Sequence, residues 1–417
     1  MNQLSRRHFL KSLGGVAALA SFPAILSAAT AGPRVVVIGG GFAGATAAKY
    51  LKHWSPNLNV TLVEPNAQYQ SPILSNLIVN GQIGMDTITF QYNTLAQKYG
   101  VNVVQDWVSG IDGVSQKVTL NSGATLDYDR LIVAPGINFN PVAGLDFNKV
   151  PHAWKSGDQV LLLKQQLDAM PAGGTFVMTI PPAPYRCPPG PYERACVVAD
   201  YFKTHKPGSK VVVLDANADI LAEKTTFSHA FNVTYAGIVD YHTDVMLESV
   251  DSDRKIAITD AGDFQADVLN VIPTQSAGTI ITSSGLANDA SGRWGQVNPL
   301  SYESTATPNI HIIGDSQATG QPKAGHIANA EAKVCADAII RLFNGDQPYA
   351  EPMTNSACYS PVSVNTASWA TVVYKYDANT GAMAAVPGSS GTAHVSTNES
   401  YNDMFDWANN LFADTFA

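Results

Sequence analysis

The chain has 417 residues, of which 45% are hydrophobic and 14% are charged, and its formal net charge at pH 7 is −9. That length suffices for two or three domains with a large core. The acidic balance, with no basic cluster beyond the N-terminus, argues against nucleic-acid binding and favours a basic partner.

The N-terminus has the pattern of a twin-arginine signal peptide. Residues 5–11 (SRRHFLK) precede an apolar run at 13–26 and small residues at 27–31. The run is too short to span a bilayer comfortably, and no later segment is long and apolar enough to do so. We expect cleavage near Ala29 or Ala31 and export of the folded protein to the periplasm.

A glycine-rich turn follows the first apolar strand. The strand is predicted at 35–38, a helix follows the turn, and the glycines have the spacing GxGxxG. Glu64 ends a second apolar strand at 59–63, where an acid can accept hydrogen bonds from a ribose. These features predict a dinucleotide site. Its residues in the turn are Gly39, Gly41, Phe42, Ala43 and Gly44.

Two later segments favour FAD over NAD as that dinucleotide. Residues 128–136 (YDRLIVAPG) form a predicted strand closed by a small turn, and 310–315 (IHIIGD) form another that ends in an acid. Such an acid can bind the ribityl or pyrophosphate part of FAD. The predicted cofactor-binding residues here are Ala134, Gly136, Gly314 and Asp315. Together the segments resemble the glutathione-reductase-like flavoproteins.

The order of segments predicts an α/β protein with two Rossmann-type domains and a C-terminal α+β domain. After the signal peptide (1–31), a FAD-binding domain is expected at 33–145 and 266–345. A second dinucleotide-like domain is expected at 146–265, and a C-terminal interface domain at 346–417.

The second dinucleotide-like domain lacks a nicotinamide fingerprint. A helix is predicted at 160–170 and a strand at 175–180, where a second glycine motif would bind NAD(P)H. The strand runs instead into a proline-rich stretch at 181–191, and prolines donate no N–H to a phosphate. Asp215 follows the strand 211–214 without glycines ahead of it, so the reductant is not expected to be a nicotinamide.

The C-terminal segment contains short predicted strands, including 370–374, and a tail at 401–412 with helical apolar spacing. The tail is acidic and has no Lys or Arg, which disfavours a membrane-surface helix. It is expected to dock on the protein's own core or on a partner.

The stretch 181–194 (PPAPYRCPPGPYER), together with the glycine motif, 74–76 (LSN) and 322–325 (PKAG), resembles the flavoprotein subunit of flavocytochrome c sulfide dehydrogenase. The sulfide:quinone reductases are more distantly similar. The resemblance covers nearly the whole mature chain. It implies oxidation of sulfide on FAD by two redox cysteines, with single electrons passing to a c-type cytochrome subunit. This chain has no CxxCH haem motif, so any haem belongs to a partner.

The resemblance assigns catalytic roles to Cys187 and Glu193. Cys187 matches one redox cysteine, and a helix expected to open near Gly190 would lower its thiol pKa. The alternative is an inert loop cysteine. Glu193 matches a carboxylate proposed as proton acceptor in the family, and the alternative is a solvated glutamate that complements the helix dipole.

The resemblance fails at the second redox cysteine. That residue is expected after Gly314-Asp315-Ser316, where this chain has Gln317. Cys335 is predicted too far along a helix and Cys196 too far into the helix after Cys187 to form a disulfide. Cys358 has no predicted position.

Two further predictions concern the flavin. Family members often have a cysteine bonded covalently to the flavin at the position of Pro72, so FAD is expected to bind non-covalently. The turn before the helix 328–342 would place Gly325 and Lys323 near the pyrimidine end of a reduced flavin, where they would stabilise negative charge. The alternative is an ordinary helix cap with a solvated lysine.

These observations predict a periplasmic FAD oxidoreductase that oxidises sulfide or a related sulfur compound and reduces a c-type cytochrome. The alternative is an FAD-containing electron-transfer or accessory subunit that has lost sulfide oxidation because Gln317 replaces the cysteine. An NAD(P)H-dependent reductase is disfavoured by the proline-rich loop. No metal site is predicted.

Overall fold

A computed structural model describes residues 32–417, and the predicted signal peptide with its cleavage site lies outside this range. The chain alternates strands and helices, as predicted. In chain order the helices are α1 (Phe42–Trp54), α2 (Asn76–Val79), α3 (Asn93–Gln97), α4 (Asp158–Ala169), α5 (Gly190–His205), α6 (Lys224–His229), α7 (Thr279–Ser283), α8 (Gly325–Phe343) and α9 (Asn398–Phe416). Short 3₁₀ turns lie at Met85–Ile88 and Gly314–Ser316, and a π turn at Ala230–Thr234.

The largest sheet is built around the first strand. In spatial order its strands are Val297–Asn298, Glu303–Ser304, Ile310–Ile312, Arg130–Val133, Arg34–Ile38, Asn59–Val63 and Asn102–Val104. The last five are parallel and apolar, which suits strands buried on both faces. Because the carboxyl ends of parallel strands meet at one edge, this sheet brings the glycine turn, Glu64, Ala134 and Asp315 to the same edge.

A second, four-stranded parallel sheet has the order Val239–His242, Lys210–Asp215, Thr175–Ile180 and Val268–Val271. The predicted return of the chain to the FAD-binding domain at residue 266 is wrong by one strand. Val268–Val271 pairs with Thr175–Ile180 because it is a fully buried apolar strand that completes this sheet. The other domain boundaries stay a prediction.

The remaining strands form small antiparallel units. They are Gln68–Gln70 with Thr89–Gln91; Val108–Asp112, Lys117–Leu120 and Thr125–Asp127; Ile137–Phe139 with Gln275–Ala277; and Leu247–Asp251, Ile256–Thr259 and Gly262–Gln265. Near the C-terminus, Met353–Pro361 pairs with Ala367–Asp377, which also pairs with Ala382–Ala385 and Gly391–Thr392.

The C-terminal helix α9 docks on the protein's own core, which was one of the two predicted outcomes. Its apolar face is buried, and the Phe416 ring stacks 5.2 Å from Tyr69 and 4.9 Å from Phe90, measured between centroids. Lys49 on α1 donates to the backbone carbonyl of Ala417 at 2.6 Å and so caps the end of α9. Between residues 32 and 417 no helix combines the length and apolar content needed to cross a membrane.

Candidate active site

The turn that joins the first strand to α1 borders a cleft of about 660 Å³. Gly39 has a φ of +94°, a conformation that favours glycine. A Cβ atom on Gly44 would lie 1.8 Å from the carbonyl oxygen of Gly39, so α1 can pass this close to the strand only with glycine there. α1 begins at Phe42, and its unpaired backbone N–H groups therefore lie at the cleft.

Replacing Gly44 with alanine is expected to weaken FAD binding at least tenfold, which is about 1.4 kcal/mol. The added methyl group must displace backbone at the turn, since the atom it meets is a carbonyl oxygen. The measurement is the dissociation constant of FAD by fluorescence titration of the apoprotein. Ala48→Gly on α1 is the control, because it weakens the same helix by about 1 kcal/mol but leaves the turn intact. Equal FAD affinity in both variants would contradict the prediction.

Most of the predicted cofactor-binding residues line this cleft. They are Gly39, Gly41, Phe42, Ala43, Glu64, Pro72, Ala134, Gly136, Gly314, Asp315 and Gly325. Gly44 packs behind the turn. Pro72 offers no nucleophile to a flavin, so its place in the cleft agrees with non-covalent binding.

Glu64 is held at the end of its strand by three hydrogen bonds. Its Oε2 accepts from the Gly40 backbone N–H at 2.8 Å, and its Oε1 accepts from the backbone and side-chain nitrogens of Asn66 at 3.0 and 2.7 Å. The carboxylate is therefore fixed in orientation beside the glycine turn, and its remaining lone pairs are available to a ribose hydroxyl.

Asp315 provides the test of whether the cleft fits FAD. Its Oδ1 is buried without a hydrogen-bond partner, and its Oδ2 lies 3.9 Å from a guanidinium nitrogen of Arg186. Burial raises the pKa of Asp315, and Arg186 and Lys323 oppose that shift. A buried carboxylate oxygen without a partner costs about 1–3 kcal/mol, and a hydroxyl of a ribityl chain or ribose would satisfy it. The residues present thus fit the predicted cofactor.

The side chain of Lys323 does not border the cleft, so the predicted ammonium contact with the flavin is not what the structure shows. Its Nζ donates to the backbone carbonyls of Asp315 at 2.9 Å and Gln317 at 2.6 Å, and it lies 3.8 Å from the centroid of the Trp294 ring. The Lys323 ammonium group therefore links the Gly314–Ser316 turn to the segment that directly precedes α8. The alternative of a solvated lysine is also wrong, because the residue is buried.

Gln317 has a structural role in the same region. Its Nε2 donates to Oε1 of Glu331 at 2.7 Å, while Oε2 of Glu331 accepts from the Gly314 backbone N–H at 2.8 Å. Gln317 is buried and borders neither the cleft nor the cavity that contains Cys187. At the position where the resemblance places the second redox cysteine, this chain therefore has a buried glutamine whose side chain is turned towards Glu331.

A smaller cavity of about 70 Å³ adjoins the cleft, and we call it the thiol cavity. Cys187, Cys358 and Glu193 line it. Pro72, Arg186 and Gly325 line both the thiol cavity and the cleft, so the two spaces lie side by side. The thiols thus stand next to the space that fits the cofactor.

Cys187 is held in a tight turn ahead of α5. Its φ is +58°, its backbone N–H donates to the Lys323 carbonyl at 2.7 Å, and its carbonyl accepts from the Gly190 N–H at 3.0 Å. A Cβ atom at Gly190 would come within 2.9 Å of both the Cys187 Sγ and the Trp154 ring. The predicted helix start is confirmed, but the predicted fall in the thiol pKa is not. Burial raises the pKa of Cys187, and the nearby Cys358 and Glu193 add to that rise.

Cys358 lies on the strand Met353–Pro361, opposite Ala370. Sequence reasoning could not place it. The one signal available was its context, because Cys196 and Cys335 lie in apolar helical runs and are fully buried, whereas Cys358 has Ser356 and Ser360 two residues away on the same face of a strand. All four cysteines are free thiols in the part of the chain that the structure describes.

Glu193 is buried in the first turn of α5, which rules out the solvated alternative. Its Oε1 accepts from the side-chain amide of Asn76 at 2.8 Å. Burial raises the pKa of Glu193 to about 8, and the neighbouring Arg194 opposes this. The carboxyl group can therefore gain or lose a proton near neutral pH.

Both carboxylate oxygens of Asp215 accept hydrogen bonds from other residues of the protein. Its Oδ2 accepts from the hydroxyl groups of Tyr192 and Tyr241, both at 2.8 Å, and its Oδ1 accepts twice from Asn217. This acid ends a strand of the second parallel sheet, where a nicotinamide enzyme would bind a ribose. Its bonds to the tyrosines support the interpretation that this domain does not bind NAD(P)H.

Comparison with known families agrees with this geometry. Residues 160–273 match the model of the central part of the sulfide dehydrogenase (flavocytochrome c) flavoprotein chain, and 350–416 match the flavin-binding part of flavocytochrome c sulphide dehydrogenase. Residues 33–170 match the pyridine nucleotide-disulphide oxidoreductases. These matches confirm FAD as the cofactor. Residues 3–23 match the twin-arginine signal sequence, so the chain is exported to the periplasm.

Individual relatives point the same way. The flavoprotein chain of sulfide dehydrogenase from Chlorobaculum thiosulfatiphilum is 51% identical over 45 residues, which is 11% of this chain and 94% of that sequence. The mitochondrial sulfide:quinone oxidoreductase of Dictyostelium discoideum is 21% identical, covering 74% of this chain and 70% of its own. The structure of the sulfide:quinone oxidoreductase from Aquifex aeolicus superimposes with a TM-score of 0.75 and 18% identity over 92% of both chains. This likeness confirms the predicted fold.

Proposed function

Because the chain belongs to the family of the flavoprotein chain of flavocytochrome c sulfide dehydrogenase, we propose that it oxidises sulfide, or a related small sulfur compound, with Cys187 and Cys358 as the redox pair. The observation that carries this proposal is that both thiols line one small cavity that shares three lining residues with the cofactor cleft. When bound there, FAD supplies acceptance of two electrons and their release one at a time.

The protein's part in the reaction follows from the thiol cavity. With the pair oxidised to a disulfide, HS⁻ attacks one sulfur atom. A new S–S bond forms a persulfide on that cysteine, and the other cysteine leaves as a thiolate. The attacking sulfur is oxidised as the disulfide is reduced, so electrons balance. The proton of HS⁻ passes to Glu193, whose carboxylate lines the same cavity.

The rate of sulfide-dependent flavin reduction is expected to rise with pH through about 8. Glu193 accepts a proton only when ionised, and burial raises its pKa to about 8, so the competent fraction grows as pH rises through that value. The measurement is stopped-flow flavin bleaching from pH 6 to 9. Glu193→Gln should be slower by about 10²-fold and should lose this rise. Sulfide ionises identically in the experiments on the native protein and on the variant, so its ionisation cannot cause a difference between their pH profiles. A rise that persists unchanged in the variant would therefore contradict the prediction.

The first experiment is the anaerobic visible spectrum of the purified protein as sulfide is added. Flavin bleaching, or a new long-wavelength band, supports the proposed reaction. An unchanged spectrum of oxidised flavin would favour an accessory subunit without sulfide oxidation. That alternative rested on Gln317, and its motivation weakens because Cys358 lies in the thiol cavity with Cys187.

We propose a c-type cytochrome as the electron acceptor. The support is that the Chlorobaculum relative is the flavoprotein chain of a flavocytochrome c. The net charge of −9 becomes −12 when Arg6, Arg7 and Lys11 leave with the signal peptide, which favours a basic docking surface on the partner. Co-purification from the periplasm with a haem protein, and its reduction when sulfide is added, would test this.

A further inference from the structure

Glu223 is a buried acid that the proposed reaction has not yet used. It is 4% exposed, and its backbone is left-handed, with a φ of +52°, which is costly for a residue other than glycine. Its Oε1 accepts a hydrogen bond from the Ser360 hydroxyl at 2.7 Å, whereas its Oε2 is buried without a partner. Glu223 thus combines a strained backbone with a buried carboxyl group that has one oxygen without a hydrogen-bond partner.

The Ser360 hydroxyl connects this acid to the thiol cavity. Cys358 and Ser360 are two residues apart on one strand, so their side chains point to the same face, and both line the thiol cavity. The two side chains are about 7 Å apart along the strand. A cavity of about 70 Å³ has room for the water or substrate atom that would bridge them.

A second group of hydroxyls lies beside the acid. Ser368 pairs with Ser360 across the two strands, and its hydroxyl donates to Thr226 at 3.1 Å. The Thr226 hydroxyl in turn donates to the Ala393 carbonyl at 3.1 Å. Glu223 is therefore surrounded by groups that donate and accept hydrogen bonds without carrying charge.

The charges around Glu223 also suit a proton carrier. The titratable groups that face it are Glu193 and Cys196 on α5 and Cys358 on its strand. Between residues 32 and 417 it has no ion pair with Lys, Arg or His. Burial raises the pKa of Glu223, while the hydroxyls of Ser368 and Ser360 oppose the shift. A buried acid without a cation holds a proton more readily than an acid in water does, because burial disfavours the charged carboxylate.

We propose that Glu223 exchanges protons with the thiol cavity through the hydroxyl of Ser360. A thiol in the cavity gives its proton through a bridging water to the Ser360 oxygen, as the Ser360 hydroxyl proton passes to the Glu223 carboxylate. The thiol becomes a thiolate, the carboxylate becomes a carboxylic acid, and no electrons move. The reverse transfer reprotonates a thiolate that leaves a disulfide. Glu223 acts through Ser360, so it is a positioning residue, and the inference rests on the proposed role of the two thiols.

The test is anaerobic stopped-flow bleaching of the flavin in the holoprotein, with sulfide and separately with dithiothreitol, across pH. We expect Glu223→Gln and Ser360→Ala to slow bleaching about 10²-fold with both reductants. We expect Glu223→Gln to remove one ionisation from the pH profile that Glu193→Gln retains. Formate should restore the Glu223→Ala rate at least tenfold by supplying the missing carboxyl group. The exposed Glu248→Gln is the control and should match the native rate.

The outcomes separate the relay from the proposed function. A native flavin that dithiothreitol bleaches and sulfide does not would contradict sulfide as substrate, yet the dithiothreitol series still measures the relay. An unchanged pH profile in Glu223→Gln, together with no effect of formate on Glu223→Ala, would overturn the relay even if both variants are slow. Bleaching of the native protein by neither reductant would overturn both proposals.

Discussion

Replacing Cys358 with serine is expected to reduce sulfide-dependent flavin reduction by about 10³-fold or more. Serine keeps the size of the side chain but forms no disulfide with Cys187 and no persulfide. Cys187→Ser should be equally slow, and the double variant should be no slower than either, because the two thiols act as one unit. The measurement is the anaerobic bleaching rate at saturating sulfide.

The control is Cys335→Ser, which changes a fully buried thiol on α8 that lines neither the cleft nor the thiol cavity. It should retain most of the native rate. Gln317→Cys in the Cys358→Ser background should not restore activity, because the residue at 317 faces Glu331 and not Cys187. Restoration would contradict this assignment of the pair, and so would a Cys358→Ser enzyme with native turnover.

Replacing Arg194 with methionine is expected to lower the free energy of unfolding by about 3–5 kcal/mol. The Arg194 guanidinium is almost completely buried, and it donates to the side-chain carbonyls of Asn76 at 3.0 Å and Asn270 at 2.9 Å. It also donates to the backbone carbonyls of His152 and Ala153. Methionine fills much of the volume but leaves the oxygens of Asn76, Asn270 and Ala153 without a donor, while the His152 carbonyl keeps a hydrogen bond from the Asn270 amide. Urea unfolding of the holoprotein measures the effect.

Two variants show whether the several hydrogen-bond donors of the Arg194 guanidinium or its positive charge account for this stability. Arg194→Lys keeps a cation but cannot reach acceptors on four residues from one ammonium group, so it should lose most of the same stability. Arg254→Met removes a guanidinium that is 73% exposed and should change stability by less than about 0.5 kcal/mol. An Arg194→Met protein as stable as Arg254→Met would show that the buried network contributes little.

Local structure around the cofactor was predictable because it depends on neighbouring residues. The strand Asn59–Val63, the strand Thr175–Ile180 and the start of α5 at Gly190 all lie where apolar runs, glycines and prolines indicated. The glycine turn was equally predictable, since the φ of +94° at Gly39 and the close approach of the backbone at Gly44 leave few residues other than glycine that fit these positions. Parallel strands then bring Glu64 and Asp315 to one edge without further information.

Properties that depend on burial were predicted less well. The helix start beside Cys187 was expected to acidify its thiol, but removal of water from the sulfur has the larger effect and raises its pKa. Lys323 was expected at the flavin or in solvent, and it is instead buried against carbonyls and Trp294. In each case the residue is surrounded by segments that are distant from it in sequence, so its neighbours in sequence do not indicate how deeply it is buried.

The sequence alone thus determined the signal peptide, the dinucleotide fold, the flavin and the family, because each rests on a contiguous motif. The tertiary structure decided which residues share a cavity. Cys358 and Cys187 line one cavity because a C-terminal strand packs against α5, and the side chain of Gln317 is turned away because it donates to Glu331. A thiol pair between distant segments has no local signature, since neither strand pairing nor helix packing is encoded in the spacing of the two cysteines.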